Sequence, residues 1–170
     1  MRVGRRVGTV AGMATFLVLT TAWPAHAAVA ITVPSSVNLG SVPTGTSSLS
    51  LQLGTVTATA TGVLFLLPSF TASVSSTSFR TGAGGTSETI ATSSISYWSG
   101  PATATTGAQT PVPGQAVAGL AQNLSVSRTA FSSSGLVLSI TTSWNPTIVV
   151  AIPAAAVAGT YTGTITHSVA

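Results

Sequence analysis

The sequence predicts an all-β fold, an antiparallel β-sandwich following an N-terminal signal helix, and three observations carry that prediction. After residue 27, Ser and Thr alternate with apolar residues at period 2, the pattern of strands with one buried and one wet face. Clusters of Pro, Gly and Ser interrupt these runs at short intervals. No segment of this region keeps its apolar residues at a 3.6-residue spacing. Many short strands with frequent turns and no helical crossovers close best as two packed antiparallel layers, as in immunoglobulin-like sandwiches.

Residues 1–27 stand apart. Arg2, Arg5 and Arg6 make a basic start, and residues 7–22 (VGTVAGMATFLVLTTA) are apolar. Ala25-His26-Ala27 then follows the helix-breaking Pro24 as an A-x-A site. This predicts a signal peptide over residues 1–27, cut between Ala27 and Ala28 with Ala25 completing the cleavage site. Residues 28–170 then form a single β-sandwich domain. The apolar run is short of the about 20 residues that a bilayer span needs. Residues 64–68 are too few and residues 153–159 too interrupted to supply a second one, so no membrane span is expected after processing. With no Cys there is no lipobox, and the final His167-Ser168-Val169-Ala170 lacks the apolar tail and basic cluster of a sortase signal. The expectation is a secreted, extracellular product without a covalent anchor.

The expected strands follow in order. Leu49, Leu51 and Leu53 alternate with Ser50 and Gln52. Val56, Ala58 and Ala60 alternate with Thr55, Thr57, Thr59 and Thr61. Phe70, Ala72 and Val74 alternate with Ser69, Thr71, Ser73 and Ser75. Leu136, Leu138 and Ile140 lead toward Trp144 on one parity. Residues 147–152 (TIVVAI) are apolar on both parities and read as a central, buried strand. Tyr161, Gly163, Ile165, His167 and Val169 share the inner face of the last strand, with Thr and Ser on the other. Residues 100–119 have no strand pattern and read as an excursion loop.

Composition removes most chemistries. The charged side chains are five Arg and one Glu, with no Cys, so thiolate and disulfide chemistry is excluded. There is no Lys for a Schiff base and no pair of carboxylates for acid/base work. The formal net charge of +4 is a targeting feature, because three of the Arg lie in residues 1–27. Arg80, Arg128 and Glu88 remain, which is not the clustered charge that nucleic acid requires, and no nucleic-acid partner is expected. Exclusive use of Arg over Lys, with abundant Ala, Gly, Thr and Ser, has the look of a high-GC bacterial composition.

Past the cleavage site, His167 and Glu88 are the only groups able to assist a nucleophilic Ser, and no G-x-S-x-G elbow accompanies them. His167 sits on the apolar parity of its strand and reads as a core or rim histidine, not a catalyst. Metal sites want several convergent ligands, so no metal and no cofactor is expected. Tyr97 and Trp98, placed before the Ser99-Gly100-Pro101 turn, are the candidates for stacking on a glycan or partner. Trp144, before Asn145-Pro146, reads as a core anchor. Asn123-Leu124-Ser125 matches a glycosylation sequon, and Thr55, Thr57, Thr59 and Thr61 read as a solvated face.

The order of segments resembles the WxL-type domains of Gram-positive cell-surface proteins and their secreted actinobacterial relatives. The residues that carry the resemblance are Leu51-Gln52-Leu53-Gly54-Thr55-Val56, Phe70-Thr71-Ala72-Ser73-Val74, Ile95-Ser96-Tyr97, Trp144-Asn145-Pro146-Thr147-Ile148 and Tyr161-Thr162-Gly163-Thr164-Ile165-Thr166-His167-Ser168-Val169. Phe70 and His167 stand where that family has its signature tryptophans, and Ala72 and Val169 where it has leucines. The resemblance implies a β-sandwich and non-covalent association with the cell wall.

Together these readings lead to an exported, non-enzymatic cell-surface or cell-wall-associated structural or binding domain. Its expected partners are a wall polymer (peptidoglycan or another glycan) or other surface proteins. The alternatives are a self-assembling pilus-like or spore-coat-like subunit, since uncharged Thr-rich edges leave self-association open, and a carbohydrate-binding adhesive module.

Overall fold

The computed structural model describes residues 28–40, 42–43, 45–63 and 66–170. The expected signal helix, with Ala25 and Ala27, lies outside the described residues, and Ala28 opens the first strand. The chain is all-β, and its helical content among the described residues is three single-turn 3₁₀ segments. The strands are β1 (Ala28–Thr32), β2 (Ser48–Gln52), β3 (Val56–Thr61), β4 (Ser69–Ser76), β5 (Phe79–Arg80), β6 (Thr89–Ile90), β7 (Ile95–Trp98), β8 (Ala102–Thr106), β9 (Gln109–Pro113), β10 (Gln122–Asn123), β11 (Arg128–Gly135), β12 (Ser139–Trp144), β13 (Thr147–Ala151) and β14 (Ile165–Val169).

Three antiparallel four-stranded sheets form, in the orders β1-β3-β12-β8, β10-β7-β13-β2 and β14-β4-β11-β9, with β5 and β6 paired separately. The first two are halves of one layer. Each of three chain segments runs through both, β2 into β3, β7 into β8 and β12 into β13, and each breaks at the same level. The breaks fall at Leu53-Gly54-Thr55, Ser99-Gly100-Pro101 and Asn145-Pro146. Gly54 and Gly100 hold φ of 88° and 70°, a region where a side chain is strained, and Pro146 brings no N–H to a ladder. The Leu53 N–H reaches the Pro146 carbonyl at 2.8 Å across the break. The third sheet packs opposite as the second layer of the sandwich.

Period-2 alternation does what the sequence predicts in the centre. Val56, Ala58 and Ala60 of β3 and Phe70, Ala72 and Val74 of β4 all point inward and are buried. In β2, Leu49 and Leu51 face in while Ser48, Ser50 and Gln52 face water. The β13 strand is central as expected, but Ile148 and Val150 alone face the core, and Ala151 is exposed. On the outer face of β3, Thr57 and Thr59 pair with Ser143 and Thr141 of β12 at 2.9 and 3.3 Å, a cross-strand hydroxyl ladder.

Three expectations are corrected. Residues 100–119 are not a loop: they hold β8 and β9, which join at a turn around Gly107 with φ 84° and belong to different layers, β8 pairing with β12 and β9 with β11. Both strands are sheet edges and largely exposed, so no buried face imposes a pattern. Pro111 and Pro113 of β9 are tolerated because an edge strand has a side that needs no N–H donors. Leu136 and Leu138 do not continue the inward parity of Ile140 and Trp144; they lie in the β11–β12 turn and are exposed. Tyr161 and Gly163 precede β14 instead of belonging to it, and Gly163 lies flat against the Phe79 ring, where a Cβ would collide.

One polar knot ties the two layers together. The Gln109 Oε1 accepts from Ser133 Oγ at 2.7 Å and Thr142 Oγ1 at 2.6 Å, while its Nε2 donates to the carbonyls of Thr106 at 2.7 Å and Thr141 at 2.8 Å. Ser133 belongs to one layer and Thr142 to the other, and both are buried. All four bonding positions of the amide are used. Replacing Gln109 by Ala strips the buried Thr142 hydroxyl of its acceptor, leaves Ser133 only the Thr110 carbonyl at 3.2 Å and frees two backbone carbonyls, and it is expected to lower stability by about 2 kcal/mol. Urea unfolding checks this, and a loss below about 0.5 kcal/mol would show that water takes the amide's place.

A candidate binding cleft and the histidine on its floor

A cleft of about 1120 Å³ opens at the end of the molecule away from the start of β1. Its floor is apolar: Leu49, Leu53 and Val56 from the β2–β3 segment, Ile148 and Val150 from β13, and Phe79, Ile90 and Ile165 from the opposite side. Its walls are two irregular stretches, residues 33–40, 42–43 and 45–47 after β1 and residues 152–164 between β13 and β14. These walls are rich in Pro, Gly, Ser and Thr, so they present hydroxyls and backbone polar groups without charge. The turn at residues 38–40 is fixed by Asn38, whose Oδ1 accepts the Gly40 N–H at 2.8 Å. The Tyr161 hydroxyl sits 3.0 and 3.1 Å from the carbonyls of Val157 and Ser87 and pins the second wall to the β5–β6 hairpin.

His167 lies on the cleft floor and is half-buried there. Its Nε2 is 3.1 Å from the Tyr97 hydroxyl, and the same hydroxyl lies 3.2 Å from Trp144 Nε1. The indole N–H can only donate, so the Tyr97 oxygen accepts from Trp144 and its own proton goes to His167. That assignment makes Nε2 the acceptor and places the imidazole proton on Nδ1. Trp144 in turn stacks on Phe131, with ring centroids 4.9 Å apart and planes 24° from parallel. Two hydrogen bonds linking three side chains thus run from the cleft into the centre of the core. Burial lowers the His167 pKa to about 4 and pushes the Tyr97 phenol well above its ordinary range, an effect the Trp144 hydrogen bond partly opposes.

The sequence-derived candidates land as follows. Tyr97 is fully buried and committed to His167 and Trp144, so it is not a surface for a glycan to stack on. The reason is register: β7 lies between β13 and β10, and Tyr97 shares the inward parity of Ile95. Trp98 is half-buried on the outer face of the same sheet, opposite Thr147. Phe70 and Ala72 are core residues, and His167 and Val169 line the inner side of β14. Glu88 accepts the Gly85 N–H at 2.9 Å in a 3₁₀ turn, while His167 is engaged by Tyr97, so the two groups serve different parts of the molecule. Asn123 is exposed and its Oδ1 is taken by Ser125 at 2.6 Å. Among the described residues no group of three or more His, Cys, Asp or Glu converges, and no helix is long and apolar enough to cross a membrane.

The cleft itself was not visible in the sequence, because its lining comes from many separate segments brought together only by the sheet order. Comparison of the chain with protein-family models, with curated proteins and with solved structures returns no match.

Proposed function

We propose that the chain is an exported, non-enzymatic domain of the cell surface that binds an uncharged wall polymer in its cleft. The observation that supports this best is the cleft: a large depression with an aliphatic floor and walls of hydroxyl and backbone groups, on a domain that keeps only Arg80, Arg128 and Glu88 as charges beyond residue 27. Such a surface suits a ligand that alternates apolar faces with neutral hydrogen-bonding groups, as the N-acetylated sugar rings of a wall glycan do. The resemblance to WxL-type domains points the same way. His167, kept neutral and tied to Tyr97, adds a polar group to the floor without adding charge.

Retention on isolated cell wall tests the reading, with two variants to locate the contact. Leu49→Trp fills the cleft from β2 and is expected to abolish retention, while Trp98→Ala, on the outer sheet face, is expected to leave it intact. The reverse result moves the contact to Trp98. Absence of retention by the unaltered protein removes wall binding.

A self-assembling subunit is the second reading, favoured by one observation: the six edge strands of the three four-stranded sheets, β1, β2, β8, β9, β10 and β14, carry no charged side chain. Charged residues are the usual guard against edge pairing. A strictly monomeric protein at high concentration would count against it.

A further inference from the structure

The end of the sandwich opposite the cleft is apolar in an unusual way. Leu66 and Leu67 in the β3–β4 connection are each 53 % exposed, and Leu136 and Leu138 in the β11–β12 turn are 76 % and 54 % exposed. Backbone bonds weld the two connections side by side: Gly62 N–H to the Leu138 carbonyl at 2.8 Å, and Gly135 N–H to the Pro68 carbonyl at 2.9 Å. Val137 between the two turn leucines is also exposed. Residues 61–69 and 134–140 contain no charged side chain. Clustered aliphatic residues of this kind mark an interaction site.

The chain's own geometry says what faces this end. In the β1 register, Ala28 pairs with Thr61, and Thr61 pairs with Ser139. Residues 1–27 therefore join the domain at the apolar end, while β1 runs away from it toward the cleft. The apolar stretch of residues 7–22 is separated from Ala28 by five residues, which span at most about 18 Å even when fully extended. On the export reading residues 7–22 enter a bilayer, and that would bring the leucine-bearing end of the folded domain to the lipid surface.

We propose that this end is a lipid-docking surface, in which Leu66, Leu67, Leu136 and Leu138 enter the headgroup and acyl boundary and orient the cleft away from the membrane. The inference rests on the export reading but not on wall binding. With no basic residue in either connection, docking draws on apolar burial alone and does not require anionic lipid.

The test uses the processed chain, residues 28–170, which contains every described strand. Flotation with phosphatidylcholine vesicles is expected to carry the protein, and adding phosphatidylglycerol is expected to change little. The double variant Leu66→Ser, Leu136→Ser is expected to reduce partitioning by roughly tenfold or more with an unchanged melting temperature, since both side chains are exposed. No binding to either vesicle, binding only to anionic vesicles, or equal binding by the variant overturns the proposal. So does a concentration-dependent dimer abolished by the same substitutions, which would assign the patch to a second copy. Vesicle binding without wall retention would leave this inference standing and remove the wall reading; the opposite pattern would do the reverse.

Discussion

Trp144→Ala is expected to lower the stability of the folded chain by about 4 kcal/mol, and with it the melting temperature by roughly 10–15 °C for a domain of this size. Trp144 is fully buried where β12 breaks into β13. It belongs to the bent layer and stacks on Phe131 of the opposite layer, so its ring bridges the sandwich at the level where all three continuing strands bend. Truncation leaves a cavity under the break and removes the donor that orients the Tyr97 hydroxyl. Trp144→Phe separates the two contributions: it keeps an aromatic ring against Phe131 and loses only the N–H and part of the volume, for an expected loss of about 1–2 kcal/mol. Urea unfolding with an unchanged slope is the measurement. A loss below about 1 kcal/mol for the Ala variant would mean that the break is held by its Gly and Pro backbone alone.

The parts of this fold that could be read from the sequence share one property: a strand with one face on the core and one in water. Val56, Ala58, Ala60 and Phe70, Ala72, Val74 are such cases, because burial of one parity leaves a period of 2 in the residues. Where that condition fails, the pattern is lost or misleads. The β8 and β9 strands are exposed edges, so Thr and Pro there carry no periodic trace. Leu136 and Leu138 have the parity of a strand, yet they form an apolar turn, and hydrophobicity alone does not tell a core strand from a surface patch. Tyr97 next to a Gly-Pro turn suggested an exposed ring, and only the pairing of β7 with β13 shows that it faces inward. The apolar parity of His167 was legible, but its link to Tyr97, seventy positions away, was not. The Gln109 knot and the cleft depend in the same way on contacts between distant segments, and neither leaves a local signal.

Acid is expected to destabilise the protein over a defined window, and His167 is the cause. Its folded pKa, lowered by burial to about 4, lies below the unperturbed value of about 6.5. Between those values the unfolded chain holds the extra proton, so stability falls as pH falls. The contribution is fully present above about pH 6.5, declines through the window and is exhausted below about pH 4. The difference of about 2.5 units corresponds to about 3 kcal/mol. Tyr97 stays neutral throughout, and its hydroxyl explains why the charged form is resisted: an imidazolium Nε2–H would donate to an oxygen that already accepts from Trp144, leaving the Tyr97 proton without the acceptor it uses now. In a chain of residues 28–170 His167 is the only histidine, the other being His26, so its titration can be followed by NMR without overlap. Urea unfolding from pH 7 to pH 4 should show the slope, and His167→Gln, which keeps an acceptor without a titration in this range, should flatten it. The same linkage reaches the cleft. A ligand that excludes water from the floor disfavours the imidazolium further, so wall retention should hold through this window and weaken only as pH nears and passes below about 4, where folded His167 begins to charge, and the Gln variant should not show that loss. A slope that persists unchanged in the Gln variant would move the acid sensitivity to other groups and detach His167 from the cleft.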